Sequence, residues 1–379
     1  MAGTLVTTNI VQTAVAMGLN ALREQVVLPR IVNRSYEDRI GPGASKGSTV
    51  NVAVPSAIAT RSVTADVVPP AVTAITPTSV SITLDQWKES PFAMSDQAIS
   101  QVQRGIIPMQ MSEAVKSLAN TVDDYLWSLI DSTGGVYGFT GTAGTTPFAS
   151  NVTQYLDARA IANNQLMPMD NRFVILDADA EANALALTAF LDASAAGTRE
   201  TVVKGDIGYK LGAQWLMSQN VATHTETNSP SSWLVNNASV AVGDTTLTVD
   251  GGSGAPVEGD IFSVAGSTQT YQVSSATSTV ITMTPTIKYA YADNAALTFK
   301  GSFVENLIIH RDLIGFAMAP LIETEQFAGG SMSATAVDED SGLSLRLEVT
   351  RQYKQWQWAF DALYGGAVIR PELGVIIAG

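Results

Sequence analysis

The chain has 379 residues, with 21 Lys plus Arg against 35 Asp plus Glu and a formal net charge of −14. That balance argues against a nucleic-acid reader, which needs clustered basic side chains, and the absence of cysteine excludes thiolate metal sites, disulfides and cysteine nucleophiles. Only 15% of residues are charged, against about 25% in soluble globular proteins, while 46% are hydrophobic, so copies of the chain are expected to cover one another's uncharged surface.

No stretch approaches the ~20 apolar residues of a membrane span. The first positive side chain is Arg23, so the N-terminal segment lacks the basic start of a signal peptide. Residues 9–28 read as an amphipathic helix, with Asn9 as cap, Ile10, Ala14, Met17, Ala21 and Leu22 at helical spacing, and Pro29 as the stop. Docking on its own core and reaching a neighbour fit this helix equally well.

Two alternating runs follow. Val50, Val52 and Val54 share one face of Thr49 to Val54, and Val80, Ile82 and Leu84 share one face of Thr78 to Leu84. The segment between them is rich in Ala, Val, Thr and Pro and nearly uncharged. A lone hairpin is marginal in water and its apolar row needs a lid, so these side chains, with Ile10 and Met17, are expected to contact neighbouring subunits.

After Pro91 the period changes: Ser95 caps a short helix, and a long helix carries the stripe Met111, Val115, Leu118, Val122, Tyr125 and Leu129 before Gly134 and Gly135 end it. A Gly and Thr loop leads to mixed α/β texture: a helix over 155–166, a strand over 172–176, a helix capped at Asp179 and a strand over 214–218. Composition then shifts to Thr, Ser, Val and Gly over residues 236–299. Short runs spaced by turns (SVAVG, TLTVD, DIFSVAG, YQVSS, VITMTP, ALTFK) predict a small sandwich or barrel. Two long strands, over 343–349 and 351–360, precede the end.

No residue pattern nominates catalysis, a cofactor or a metal. His224 and His310 are the only histidines and lack a second at a helical ligand offset; His310 reads as structural and His224 as solvated. Phosphate-loop and Ser-x-x-Lys patterns are absent. Asp123-Asp124 and Asp338-Glu339-Asp340 read as solvated faces or loops.

Taken in order, the pieces resemble the major capsid proteins of tailed phages, the Hong Kong phage coat fold. Three segments carry the resemblance: the succession of helical arm, extended loop and striped helix; ENLIIHRDLIGFAMAPL, similar to the family's strand, His/Arg-Asp step and short apolar helix; and FDALYGGAVIRPELGVII, where a Tyr-Gly turn precedes an Arg-Pro-Glu step into a last strand. The β-rich insert resembles that of podovirus coat proteins.

The resemblance implies an α+β fold: residues 1–39 as N-terminal arm, 40–90 as an extended two-stranded loop over an adjacent subunit, and 91–133 as spine helix and part of the peripheral domain. It likewise implies 134–235 as the axial domain, 236–300 as an inserted β-barrel, and 301–379 as the return to axial and peripheral domains. It implies a non-enzymatic, cofactor-free subunit of an icosahedral virion shell, assembled in the host cytoplasm from hexamers and pentamers. The implied partners are a separate scaffolding protein and a portal, with double-stranded DNA enclosed but not specifically bound and no membrane. A β-rich surface-binding or tail component is the alternative.

Overall fold

A computed structural model describes residues 27–36, 44–55, 74–101, 106–192, 205–236, 240–321, 331–337 and 344–379, with positions 58, 60, 62 and 72. Ile10 and Met17 lie outside them. Residues 9–26 of the expected helix lie outside them too, and Pro29, read as its stop, belongs to a described helix. It sits in the first turn of a short one, Leu28–Ile31, where its missing N–H costs no hydrogen bond.

The long helix spans Ile106–Asp131 and takes Pro108 into its first turn for the same reason. Val115, Leu118 and Val122 of the predicted stripe are buried, and Met111, Tyr125 and Leu129 form its half-buried margin. The buried face is broader than the stripe, because Ala119, Leu126, Trp127 and Ile130 also enter the core. Gly134, with φ +80°, turns the chain out of the helix.

Two sheets share this helix's core, and one of them packs directly on it. The seven-stranded sheet runs in the order Gly138–Gly141, Gly374–Ala378, Phe303–His310, Arg172–Leu176, Ala213–Met217, Gly208–Lys210, and Thr223–His224 pairs with the start of Phe303–His310. Asp177, not Asp179, caps the helix Ala178–Ala186, its carboxylate accepting from the Ala180 and Asp179 N–H groups.

The other sheet joins Ile314–Ala319, Gln355–Val368, Ser344–Gln352, Ser331–Val337 and Gln86–Ser95. Three expectations are corrected in it. Gln86–Ser95 is a strand through Pro91, tolerated because the strand pairs only with Gln355–Val368 among the described residues. Ser95 then caps the helix Asp96–Gln101, its hydroxyl accepting from Ala98 N–H at 3.1 Å. Ile314–Ala319 is a strand rather than an apolar helix: every residue in it is buried, so periodicity could not separate the two.

The expected Tyr-Gly turn is also strand, for a packing reason. A Cβ on Gly365 would overlap the Thr83 carbonyl oxygen, and one on Gly366 would meet Leu129 Cδ1 at 2.9 Å on the opposite face. The glycines let the hairpin and the long helix close on the two sides of one strand.

Residues 234–299 form a six-stranded sheet in the order Leu297–Phe299, Ile261–Val264, Thr270–Ala276, Val280–Thr284, Thr246–Asp250, Leu234–Val235. A bridge between Leu234 and Ala296 brings its two edges together into a nearly closed barrel. Val249, Phe262, Tyr271, Val273 and Ile281 fill a core of its own. Of the runs read as strands, SVAVG is not one among its described residues, where Ala241–Asp244 forms a turn.

Candidate functional site

The hairpin is the element whose chemistry most demands a partner. Thr49–Val54 and Thr78–Thr83 pair antiparallel with Val50 opposite Ile82 and Val52 opposite Val80, so the apolar residues share one face as their alternation predicts. The other face is wet, with Ser81 Oγ donating to Asn51 Oδ1 at 2.7 Å.

The predicted cover is corrected here. Val52, Ile82 and Leu84 pack with Ala317, Ala319, Leu363 and Ile369 of the same chain, Val54 lies against that cluster, Val50 is buried, and Val80 is half-buried. Gly315 makes room, since a Cβ there would lie 2.7 Å from Ile82 Cδ1. The foot of the hairpin is thus part of this subunit's own core, and buried Val50, Val52, Ile82 and Leu84 are covered by their own chain.

Beyond the foot the situation reverses. Ile58, Val72 and Ile75 are 75%, 87% and 67% exposed. Aliphatic side chains so exposed are left uncovered by the described residues of the monomer. Leu166 and Met169, between Thr153–Asn164 and Arg172–Leu176, and Tyr353, at the turn of the last long hairpin, are also exposed.

A family model for phage capsid proteins matches residues 77–274, more than half of the chain. The chain belongs to the phage capsid protein family. Its fold agrees with solved phage structures. That of Mycobacterium phage Che8 is 18% identical with a TM-score of 0.50, covering 93% of this chain and 91% of the other. The capsid structure of cyanophage P-SCSP1u is 13% identical with a TM-score of 0.50, covering 89% and 85%. No curated protein matches the sequence. The β-rich tail or adhesin alternative gives way to this family membership.

As a capsid protein, the chain is a structural component of the virion whose working state is association with its own copies. It carries the long helix, the two sheets and the nearly closed barrel of its fold, and no helix among the described residues is long and apolar enough to cross a membrane.

Two polar residues of this capsid protein were misread from sequence. Asp123 is fully buried, not solvated, and accepts from Leu28 N–H at 3.1 Å and from Asn220 Nδ2 at 3.2 Å, tying the short helix and a loop to the long helix. Burial drives its pKa up to about 6, with the two hydrogen bonds opposing the rise. A folded-state pKa above the unfolded value means that the native state holds more protons between pH 3.8 and about 6, so this group's contribution to stability falls as pH rises through that window. Asp123→Asn is expected to remove this slope, of order 2 kcal/mol between pH 4.5 and 7, in denaturant unfolding of the unassembled subunit compared at those two pH values.

His224 is 4% exposed rather than solvated. Its Nδ1 lies 3.0 Å from Asp131 Oδ2 and its Nε2 3.0 Å from Asp260 Oδ1, and its ring stacks on Phe303. Burial alone would lower its pKa; the hydrogen bonds and charges of Asp131 and Asp260 outweigh it and lift the value to about 9. His310 is buried and hydrogen-bonded, Nδ1 accepting from Asp312 N–H at 3.2 Å. Asp338, Glu339 and Asp340 lie outside the described residues. Reading the sequence missed Asp131, Asp260 and Glu305; the available signal was a glutamate within the apolar strand Phe303–His310.

Proposed function

We propose that this major capsid protein closes an icosahedral shell by laying the segment between its two hairpin strands across an adjacent subunit, in hexamers and pentamers. The observation that carries this is the contrast along one element: the foot of the hairpin is sealed into its own subunit, while Ile58, Val72 and Ile75 beyond it are exposed. A rigid base with an uncovered apolar reach spends little ordering entropy on contact with a neighbour. In this reading residues 1–39 act as an arm, 40–90 as the extended loop, and 91–133 as the spine with part of the peripheral domain. Residues 134–235 line the capsomer centre with Leu166 and Met169 at that contact, 236–300 stand outward as the barrel, and 301–379 complete both domains.

A separate scaffolding protein and a portal are the partners proposed for assembly in the host cytoplasm. Net charge −14 supports walls that enclose double-stranded DNA without gripping it, since like charge repels phosphate. Expression of the chain alone and with a scaffold, followed by sedimentation and negative-stain microscopy, tests the reading. Closed particles or capsomers are the expected result, and a persistent monomer in both conditions overturns it.

A further inference from the structure

We propose that Asp131, His224 and Glu305 form a binding site for a zinc-class divalent cation where the long helix, the barrel and the seven-stranded sheet meet. One ligand atom from each residue lies within 4.8 Å of the other two. The edge between Asp131 Oδ2 and His224 Nδ1 is 3.0 Å, close to the roughly 3.3 Å between neighbouring ligands on a tetrahedral ion with bonds of about 2.0–2.2 Å. Glu305 closes the set by a small side-chain movement.

Glu305 is the observation that points to a ligand. It is fully buried, it faces Asp131, and no donor among the described residues reaches either of its oxygens; Asp131 Oδ1 is likewise without one. Burying a carboxylate without compensation is costly, and here Asp131, Asp260 and Glu305 surround a single imidazole. A dication among them neutralises the surplus charge and fills the missing coordination.

The surroundings fit the same assignment. Asp260, 1% exposed, takes the Nε2 side of His224 and is itself held by Val257 N–H at 2.8 Å. A carboxylate on one ring nitrogen fixes the tautomer and turns the other nitrogen's lone pair to the metal. Gly259, at φ +90°, lets this loop approach: a Cβ there would meet the Asp131 carbonyl oxygen at 2.9 Å and His224 Cε1 at 3.3 Å. An entry path exists, because a cavity of about 540 Å³ lined by Trp127, Ser128, Asp131 and Asn220 reaches the Asp131 side chain, which is 31% exposed. One imidazole with two carboxylates suits zinc or manganese better than calcium or magnesium, which favour all-oxygen sites.

The rival occupants are protons, one on His224 Nδ1 toward Asp131 Oδ2 and one shared by Glu305 and Asp131, since burial first and the facing Asp131 charge second push the Glu305 carboxyl well above the usual range. Full-length subunit stripped with a chelator and titrated with zinc by calorimetry, with metal content read by mass spectrometry, separates metal from protons. One zinc per chain is expected. Glu305→Gln and Asp131→Asn are each expected to weaken binding at least about tenfold, and Asp260→Asn by about 10- to 100-fold, with circular dichroism unchanged. Absence of binding by the wild-type chain overturns the site in favour of the protons, and binding that survives both ligand substitutions overturns it by placing the ion elsewhere. If Glu305→Gln does not fold, Asp131→Asn, at the partly exposed helix end, decides between metal and protons alone. None of these readouts depends on shell formation.

Discussion

Excising residues 56–76 and rejoining the hairpin through a short Gly-Ser turn leaves a folded subunit that forms no stable particles. The excision spares both strands, in which Val54 pairs with Thr78, and so spares the cluster of Val52, Ile82 and Leu84 with Leu363 and Ile369. It removes Ile58, Val72 and Ile75, the exposed apolar side chains beyond the foot. Because about 1.4 kcal/mol per contact is tenfold in affinity and a closed lattice repeats the contact at every subunit, a modest loss per loop abolishes the shell. Circular dichroism and thermal unfolding of the variant should match the parent while sedimentation shows no particles; particles at normal yield would refute the role given to the loop. A wider excision starting near residue 43 is a poorer experiment, since it deletes Val50 and Val52 from the subunit's own core.

The second large effect concerns one methyl group at either of two adjacent positions. Gly365→Ala is expected to cost about 3–4 kcal/mol or more, because its Cβ falls on the Thr83 main chain, which cannot rotate away. Gly366→Ala should cost only about 1 kcal/mol, because its Cβ meets the tip of Leu129, a side chain with other rotamers. Urea unfolding of the two variants side by side measures the contrast. Equal costs would mean that the hairpin foot yields as readily as a leucine, and the packing account would fail.

The same glycines show why part of the fold was legible in the sequence and part was not. The hairpin strands, the barrel strands Thr246–Asp250 and Val280–Thr284 and the stripe of the long helix follow from alternation, period and turn residues, all local properties. Gly365-Gly366 and Pro91 have the local signature of turns, yet they occupy strands because of what lies across from them: another backbone in one case, an edge unpaired among the described residues in the other. Val50, Val52, Ile82 and Leu84 were legible as an apolar row, but the owner of their cover was not, since Ala317 and Leu363 lie far along the chain. The polar junction was hidden for the same reason. Asp131, His224, Asp260 and Glu305 come from four separated stretches, and only Glu305, set within an apolar strand, stands out locally.

Consecutive residues of one strand are gripped from opposite sides, by the hairpin foot at Gly365 and by the long helix at Gly366. Tension applied at the loop tip therefore travels through main-chain contact at Thr83, across a single peptide unit, and into Leu126 and Leu129. The step at Thr83 has almost no slack, because main chain meets main chain there, whereas the step into the helix passes through the leucine side chains.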